Sequence, residues 1–145
     1  HARGIAVAES FASYVAIVAE VSAERDRVRV HRMTCAIDCG IAVNPDSIRA
    51  QMEGAVVYGL TATLKGAITV ANGRIQQSNF DDYPLARIAM VPSLFETHIL
   101  NYDNVPTGVG EIPVPPAAPA LTNAIFAATG TRIRTLPMRR SGIVV

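Results

Sequence analysis

Residues 106–119, with the sequence PTGVGEIPVPPAAP, form the stretch around which the rest of the chain is arranged. Two glycines flank Val109, so the backbone here can turn sharply or approach a ligand without a Cβ in the way. The prolines that follow fix φ and stiffen the path away from the turn. The alanine-rich run 117–128 then predicts a helix that ends at Gly130. The pattern predicts a single carboxylate, Glu111, on a stiff backbone at the start of a buried helix.

Two interpretations of Glu111 follow from this pattern. A carboxylate on a rigid turn is suited to general base catalysis, because a base must stay within hydrogen-bond reach of the proton that it accepts. Alternatively, the stretch is a surface connector rich in proline and glycine, and Glu111 is an ordinary exposed residue of that loop. The residues alone leave both interpretations open.

Length and composition indicate one globular unit with an incomplete surface. A chain of 145 residues is long enough to bury a sizeable core, so we expect residues 1–145 to form a single domain. Charged residues make up only 17% of the chain, against about 25% in typical domains. This predicts that part of the surface is covered by a partner subunit, a second copy or further segments of a longer chain. A first residue of His rather than Met supports a segment of something longer.

The charge pattern argues against nucleic acid as a partner. The formal net charge is +1, and the few aromatic residues are not interleaved with basic ones. Basic residues do cluster near the C-terminus, at Arg132, Arg134, Arg139 and Arg140. They are interpreted either as contacts to phosphate or to a neighbouring subunit, or as a solvated tail.

Cys35 and Cys39 form a lone C-x-x-x-C, and no second pair completes a zinc site, so we predict two free, half-buried thiols and no metal ligated by side chains.

No apolar run reaches 18 residues and no signal peptide is visible. The composition suits a reducing compartment, with the cytoplasm favoured over the periplasm.

The strand signals predict a mixed sheet. The run 13–22 barely alternates, so we expect it to be covered on both faces, and in the following strand we expect Arg29 and His31 to face water. The predicted strands are residues 4–10, 13–22, 28–37 and 94–100, with a hairpin at 67–76 that turns at Asn72-Gly73.

A second helix begins at Asn44-Pro45-Asp46, which combines an N-cap residue, a proline at N1 and a carboxylate in the first turn. It extends to Lys65 and is apolar almost all round, which is typical of a buried helix. Gln51 and Glu53 are either buried polar groups that need partners or residues of an exposed first part. The fold class predicted is α+β, a mixed sheet with two buried helices.

Several motifs, in this order and spacing, resemble the C-terminal part of the molybdopterin-binding large subunit of the xanthine dehydrogenase/aldehyde oxidase family, above all its isoquinoline 1-oxidoreductase and bacterial aldehyde dehydrogenase branch. The motifs are GIAV at 4–7, AIDCG at 36–40, NPD at 44–46, AQMEG at 50–54, QSNFDDYP at 77–84 and GVGE at 108–111. The resemblance extends over almost the whole chain and implies a molybdopterin-binding-domain-like fold.

The resemblance also implies roles for individual residues. Glu111 corresponds to the catalytic base, and Gln51 to the glutamine beside the pterin. The backbone of Gly108, Val109 and Gly110 corresponds to the turn that approaches the cofactor closely. The family holds molybdenum through the pterin itself, with no side-chain ligand, which agrees with the lack of a His/Cys cluster.

The function implied is hydroxylation of an N-heteroaromatic compound or an aldehyde with oxygen taken from water. The cofactor implied is molybdopterin with molybdenum, as the cytosine dinucleotide, and iron–sulfur clusters on a partner subunit carry electrons away. The remainder of the large subunit would be the other partner. The alternative is a catalytically silent segment that assembles with other subunits. For the isolated chain we expect no activity, no tight cofactor binding and self-association into a homo-oligomer.

Overall fold

The computed structural model describes residues 1–25 and 27–141. Its main sheet has four strands in the order β1, β2, β3, β6, with β1–β2 and β2–β3 antiparallel and β3–β6 parallel. This mixed sheet with two helices confirms the predicted α+β class. The strands are β1 (Ala2–Ser10), β2 (Ser13–Glu24), β3 (Arg27–Asp38), β4 (Val70–Ala71), β5 (Arg74–Ile75) and β6 (Leu94–Leu100).

Two helices, α1 (Pro45–Leu64) and α2 (Val114–Thr129), cover one face of this sheet. The N-cap predicted for α1 is present, because the Asn44 side chain accepts a hydrogen bond of 3.0 Å from the Ser47 backbone N–H. The parallel β3–β6 pair requires a long crossover, and α1 is part of it.

Helix α2 lies directly on β1 because the contact contains very small residues. A Cβ at Gly4 would overlap the backbone nitrogen of Ala124, so any larger residue at position 4 would push the helix away. The side of α2 that faces the sheet is made of Pro116, Ala117, Ala120, Leu121, Ala124 and Ile125. Its end at Gly130, with φ of 75°, matches the prediction.

Helix α2 begins earlier than predicted. Val114, Pro115 and Pro116 form its first turn, and Pro119 lies inside it. The sequence pattern predicted that these prolines form a stiff approach to the helix. The first turn of a helix tolerates proline because the N–H groups there have no partner within the helix. Proline is therefore compatible with helix at positions 115 and 116.

The prediction that β2 is covered on both faces is wrong for this chain. Val15, Ile17, Ala19 and Val21 are buried beneath the helices, but the opposite side of the sheet has no covering layer among the described residues. On this side Ile5 is 57% exposed and Val7 is 67% exposed. We call this side the outer sheet face; its registered side chains include Ile5, Val7, Tyr14, Ala16, Val18 and Ala36.

The expectation that His31 faces water is also wrong. The register between β2 and β3 shifts so that Glu20 pairs with Arg32 and Val21 with Val30, which leaves His31 as the extra residue of a β-bulge. Its ring is half-buried and stacks on His1, with ring centroids 4.1 Å apart. The Ser22 hydroxyl lies 2.7 Å from His31 Nε2. Arg29, in contrast, is exposed as predicted.

The predicted hairpin at residues 67–76 is confirmed but short. Strands β4 and β5 have two residues each and pair Val70 with Ile75. Asn72 and Gly73 form the turn, with φ of 51° and 73°, as a type I′ turn requires.

Candidate functional site

The segment that leads to Glu111 is fixed to the carboxyl end of β3. The Ile41 N–H donates to the Asn104 carbonyl at 3.0 Å, and the Thr107 N–H donates to the Cys39 carbonyl at 3.0 Å. These bonds hold residues 104–107 against the chain that leaves the central strand. We call residues 104–108 the anchored segment.

The turn between β1 and β2 holds the anchored segment from a second side. The Gly108 N–H donates to the Phe11 carbonyl at 3.3 Å. The Ser13 hydroxyl lies 2.6 Å from the Gly108 carbonyl and 2.6 Å from the Thr107 hydroxyl. The turn itself is unusual, since Phe11 and Ala12 have φ of 51° and 59°, values that favour glycine. The strained β1–β2 turn thus contacts the glycine turn at residues 108–110, for which a functional role is predicted.

The two glycines beside Val109 serve different purposes. A Cβ at Gly108 would lie 2.7 Å from the Cβ of Phe11, so glycine is required there by contact within the chain. A Cβ at Gly110 would meet nothing within 4 Å. Of the two, Gly110 is the position where the backbone borders open space that a ligand could occupy.

Glu111 is exposed, while its neighbours on both sides are held in place. Ile112, which follows it, is 0% exposed, and Val109 packs partly buried against the core. The Glu111 carbonyl accepts a 3.0 Å hydrogen bond from the Val114 N–H at the start of α2. Among residues 1–25 and 27–141, no hydrogen bond or salt bridge engages the Glu111 carboxylate. The site therefore presents a carboxylate with free acceptor atoms on a fixed backbone.

Gln51 lies on an exposed stripe of α1. The stripe follows the helical period and consists of Ser47, Gln51, Gly54, Tyr58 and Ala62. The expectation that α1 is buried all round is therefore wrong, because the helix buries one side only, against α2 and the sheet. Of the two alternatives for Gln51 and Glu53, the exposed one is correct. A Cβ at Gly54 would meet nothing within 4 Å, so the helix backbone there also borders open space.

No described contact joins Gln51 to residues 108–111. Helix α1 meets the first turn of α2 at Gly59, where a Cβ would lie 2.8 Å from the Cβ of Ala117. Gln51 precedes Gly59 by two turns of helix, about 12 Å along the helix axis. Gln51, Gly108, Gly110 and Glu111 are all exposed, so each is accessible to a bound group.

The cysteines are free, as predicted, and are fully rather than half buried. Burial raises the pKa of the Cys35 thiol to about 11, so it is neutral at physiological pH and unsuited to nucleophilic or metal-binding roles. In the part of the chain that the structure describes, no three His, Cys, Asp or Glu side chains come together as a metal site. Cys35 and Cys39 therefore belong to the core.

The basic cluster is partly folded back onto the protein. The Arg132 guanidinium lies 3.4 Å from the centre of the Phe126 ring, and it donates to Asn123 Oδ1 at 3.4 Å. Arg132 is thus exposed but packs on the end of α2. Arg134 and Arg139 are exposed, and the side chain of Arg140 lies outside the described residues.

Sequence reasoning missed Phe11, Ser13 and Thr107, which hold the anchored segment. Ser13 and Thr107 are 94 positions apart, and nothing in either local sequence indicates that they meet. A Phe-Ala pair also lacks the Asn-Gly signal of a turn with positive φ.

None of the described helices has the length and apolar character needed to cross a membrane.

Residues 4–92 match the family of molybdopterin cofactor-binding domains. The chain is 38% identical over 140 residues to the beta subunit of isoquinoline 1-oxidoreductase from Brevundimonas diminuta, an alignment that covers 95% of this chain. It is 32% identical over 129 residues to one subunit of nicotinate dehydrogenase from Pseudomonas putida, covering 88% of this chain. The chain spans only 18% and 11% of the length of those two relatives.

The fold is also similar to solved structures. Aldehyde oxidoreductase from Desulfovibrio gigas superimposes with a TM-score of 0.73 at 26% identity, covering 86% of this chain and 14% of that one. Quinoline 2-oxidoreductase from Pseudomonas putida 86 gives a TM-score of 0.73 at 24% identity, covering 87% of this chain and 17% of that one.

Proposed function

Because the chain belongs to the family of molybdopterin cofactor-binding domains, we propose that it forms part of the cofactor site of a larger molybdenum oxidoreductase and supplies Glu111 as the general base. The observation that carries this proposal is the state of the carboxylate. It is exposed and without a partner among the described residues, and it extends from a backbone that is fixed between the anchored segment and the buried Ile112. A carboxylate with a structural role is normally paired, whereas a general base needs free acceptor atoms within hydrogen-bond reach of the proton that it takes.

The residues present are compatible with a bound molybdenum–pterin cofactor. Gly110 and Gly54 each border open space, and the Gln51 amide offers two donors and an acceptor without a described partner. Gln51 and the backbone of Gly108, Val109 and Gly110 would hold the pterin. When bound, the cofactor supplies the redox chemistry, and this chain positions it and accepts a proton at a Glu111 carboxylate oxygen.

The finer parts of the proposal are the substrate and the electron path. We take the reaction to be hydroxylation, with water as the oxygen source, of an N-heteroaromatic compound or an aldehyde. The relatives' names support these substrate classes, since they include isoquinoline, nicotinate and aldehyde enzymes. The same proposal includes the cytosine dinucleotide form of the cofactor, the remainder of the large subunit and a partner subunit with iron–sulfur clusters.

A second candidate is that the isolated chain is only an assembly segment. The small share of each relative that it spans favours this, because a cofactor site normally encloses its ligand between facing surfaces. Molybdenum analysis of the purified 145-residue chain tests the second candidate. We expect no tightly bound molybdenum, since the opposing wall is missing. A stoichiometric amount of molybdenum on the purified chain would contradict the assembly-only state.

Glu111→Gln in the complete enzyme tests the proposed base. The amide keeps the shape of the side chain but accepts a proton poorly, so we expect kcat to fall by about 10²–10⁴-fold while molybdenum and pterin content stay normal. The matched control is Glu24→Gln, which changes an exposed carboxylate at the end of β2. Its kcat should equal that of the wild type.

Steady-state kinetics together with cofactor analysis decide the outcome. If Glu111→Gln retained more than half of the wild-type kcat at full cofactor occupancy, Glu111 would not be the base. Loss of activity that merely follows loss of cofactor would assign Glu111 to binding instead.

A further inference from the structure

Ser13 is a buried hydroxyl that connects the β1–β2 turn to the anchored segment. The residue is 0% exposed, and its Oγ lies 2.6 Å from both the Gly108 carbonyl oxygen and the Thr107 hydroxyl oxygen. A carbonyl only accepts, so Ser13 donates its single hydroxyl proton to Gly108. The Thr107 hydroxyl must then donate to Ser13 Oγ. The directions of both hydrogen bonds are thereby fixed.

Only a short interval of chain separates Gly108 from Glu111. Val109 is held by partial burial against the core, and Ile112 is held by complete burial on the far side. Gly110 is the one position in this interval where a Cβ would meet nothing. The placement of Glu111 therefore depends on how firmly Gly108 is held.

Three other contacts locate the anchored segment, but none of them fixes the Gly108 carbonyl. The Ile41 and Thr107 backbone bonds act before Gly108, and the bond from the Gly108 N–H to Phe11 is long, at 3.3 Å. The bond from Ser13 is shorter, at 2.6 Å, and its donor residue is 0% exposed. A donor that water does not reach does not exchange this hydrogen bond for one with solvent. Ser13 therefore sets the orientation of the peptide plane from which the chain continues to Glu111.

We propose that Ser13 is a positioning residue for Glu111. Its hydroxyl holds the Thr107–Gly108 turn in one conformation and so directs the carboxylate toward the open space beside Gly110. Ser13 takes no chemical step itself, because its proton is already donated and the residue is enclosed. This inference rests on the proposed role of Glu111 as the base.

Ser13→Ala in the complete enzyme, compared with Thr63→Val, tests the inference. Thr63 is also 0% exposed and donates to a carbonyl, that of Gly59, at 2.7 Å, but it lies near the end of α1 and touches no part of the turn. Each variant thus loses a hydrogen bond from a fully buried hydroxyl-bearing residue to a backbone carbonyl. We expect similar decreases in Tm, but a decrease in kcat of about 10- to 100-fold for Ser13→Ala only, because a misplaced catalytic group loses rate steeply with distance. KM should change less than about threefold, since substrate binding is not the step affected.

Equal kcat values for Ser13→Ala and Thr63→Val would overturn the inference, and so would a rise in KM at constant kcat. If Ser13→Ala does not fold, Thr107 provides the second test. Thr107→Val removes the donor to Ser13 and should lower kcat, whereas Thr107→Ser keeps the hydroxyl and should restore kcat to within about twofold of wild type. Unchanged kcat in Thr107→Val would then overturn the inference.

Glu111→Gln measured in parallel separates this inference from the proposed function. If the Glu111→Gln enzyme is active, Glu111 is not the base and Ser13 has no base to position. If the Glu111→Gln enzyme is inactive but the Ser13→Ala enzyme is fully active, Glu111 is still the base. In that case only the inference about Ser13 is refuted.

Discussion

Cys35 shows how burial changes the chemistry of a residue in this fold. It lies on the inner side of β3, 1% exposed, and loss of solvation by the thiolate raises its pKa to about 11 from an ordinary value of 9.0. A thiol in this environment packs as a small apolar side chain. The four-residue spacing to Cys39 runs along an extended strand end, about 13 Å, which is too far for a disulfide.

This raised pKa predicts a loss of stability in alkaline solution. The folded state binds the Cys35 proton more tightly than the unfolded state does, so the stabilisation is complete below the ordinary pKa of 9.0 and is lost as the pH rises toward about 11. The free energy of unfolding should fall by up to about 1.4 kcal/mol per pH unit in that window. Urea unfolding of wild type and Cys35→Ala across this pH range measures the effect. Parallel pH dependences for the two proteins would contradict the prediction.

At the scale of elements, the β1–β2 turn stands out because it adopts a conformation that its residues disfavour. Phe11 and Ala12 both have positive φ, at a cost of about 1–2 kcal/mol for each residue that is not glycine. Its contacts to Gly108 through the Phe11 carbonyl and through Ser13 explain why the turn is kept in this form.

Ala12→Gly should therefore stabilise the isolated chain. Glycine adopts φ of 59° without strain, and part of the gain is offset by the greater entropy of the unfolded chain, so we expect an increase of about 0.5–1 kcal/mol in the free energy of unfolding. Ala16→Gly, in the middle of β2, is the control and should lower stability by about 0.5–1 kcal/mol. A decrease for Ala12→Gly, measured by urea unfolding, would show that the turn is not strained.

Elements with strong local signals were predictable, and contacts between distant segments were not. Asn44-Pro45-Asp46 marks the start of α1 through its own capping chemistry, and Asn72-Gly73 marks its turn in the same way. Glu111 and Gln51 could be selected as site residues because their motifs are local. Their roles stay predictions.

The missed features all depend on tertiary structure. The bulge at His31 results from a register shift between two strands, and the hydrogen bonds of Ser13 join residues 94 and 95 positions apart. The exposed side of α1 was missed because a short chain does not always contain enough other elements to bury every side of an apolar helix. A hydrophobic pattern indicates which residues avoid water. It does not indicate whether other elements of the same chain pack over them.

The whole molecule leaves one side of its main sheet uncovered by any described residue. The outer sheet face combines exposed Ile5 and Val7 with the smaller Ala16 and Ala36 of the central strands. Four strands over about eight residues give a face of roughly 500 Å², which is less than the roughly 800 Å² per partner of a standard stable interface. A second copy bound to this face alone would be held weakly, so we expect self-association of the isolated chain to depend on concentration.

Sedimentation of the isolated chain across the micromolar range tests this expectation. Wild type should shift from monomer toward a dimer as its concentration rises, and Val7→Lys should stay monomeric because it places a charge among the exposed apolar side chains of the outer sheet face. Val43→Lys is the control, since Val43 is 79% exposed but lies in the loop before α1. A wild-type chain that stays monomeric throughout, or equal association of both variants, would contradict the proposal.

The hydrogen bond between Ser13 and Gly108 also has a consequence for the order of events in the cell. The two residues are 95 positions apart, so a ribosome working at about 5–20 residues per second makes the second about 5–20 s after the first. During that interval the β1–β2 turn has no anchored segment to bind. The carboxylate that we propose as the base takes its place only near the end of translation of this region. A cofactor that bound beside this carboxylate could therefore contact it only after residue 111 had been synthesised.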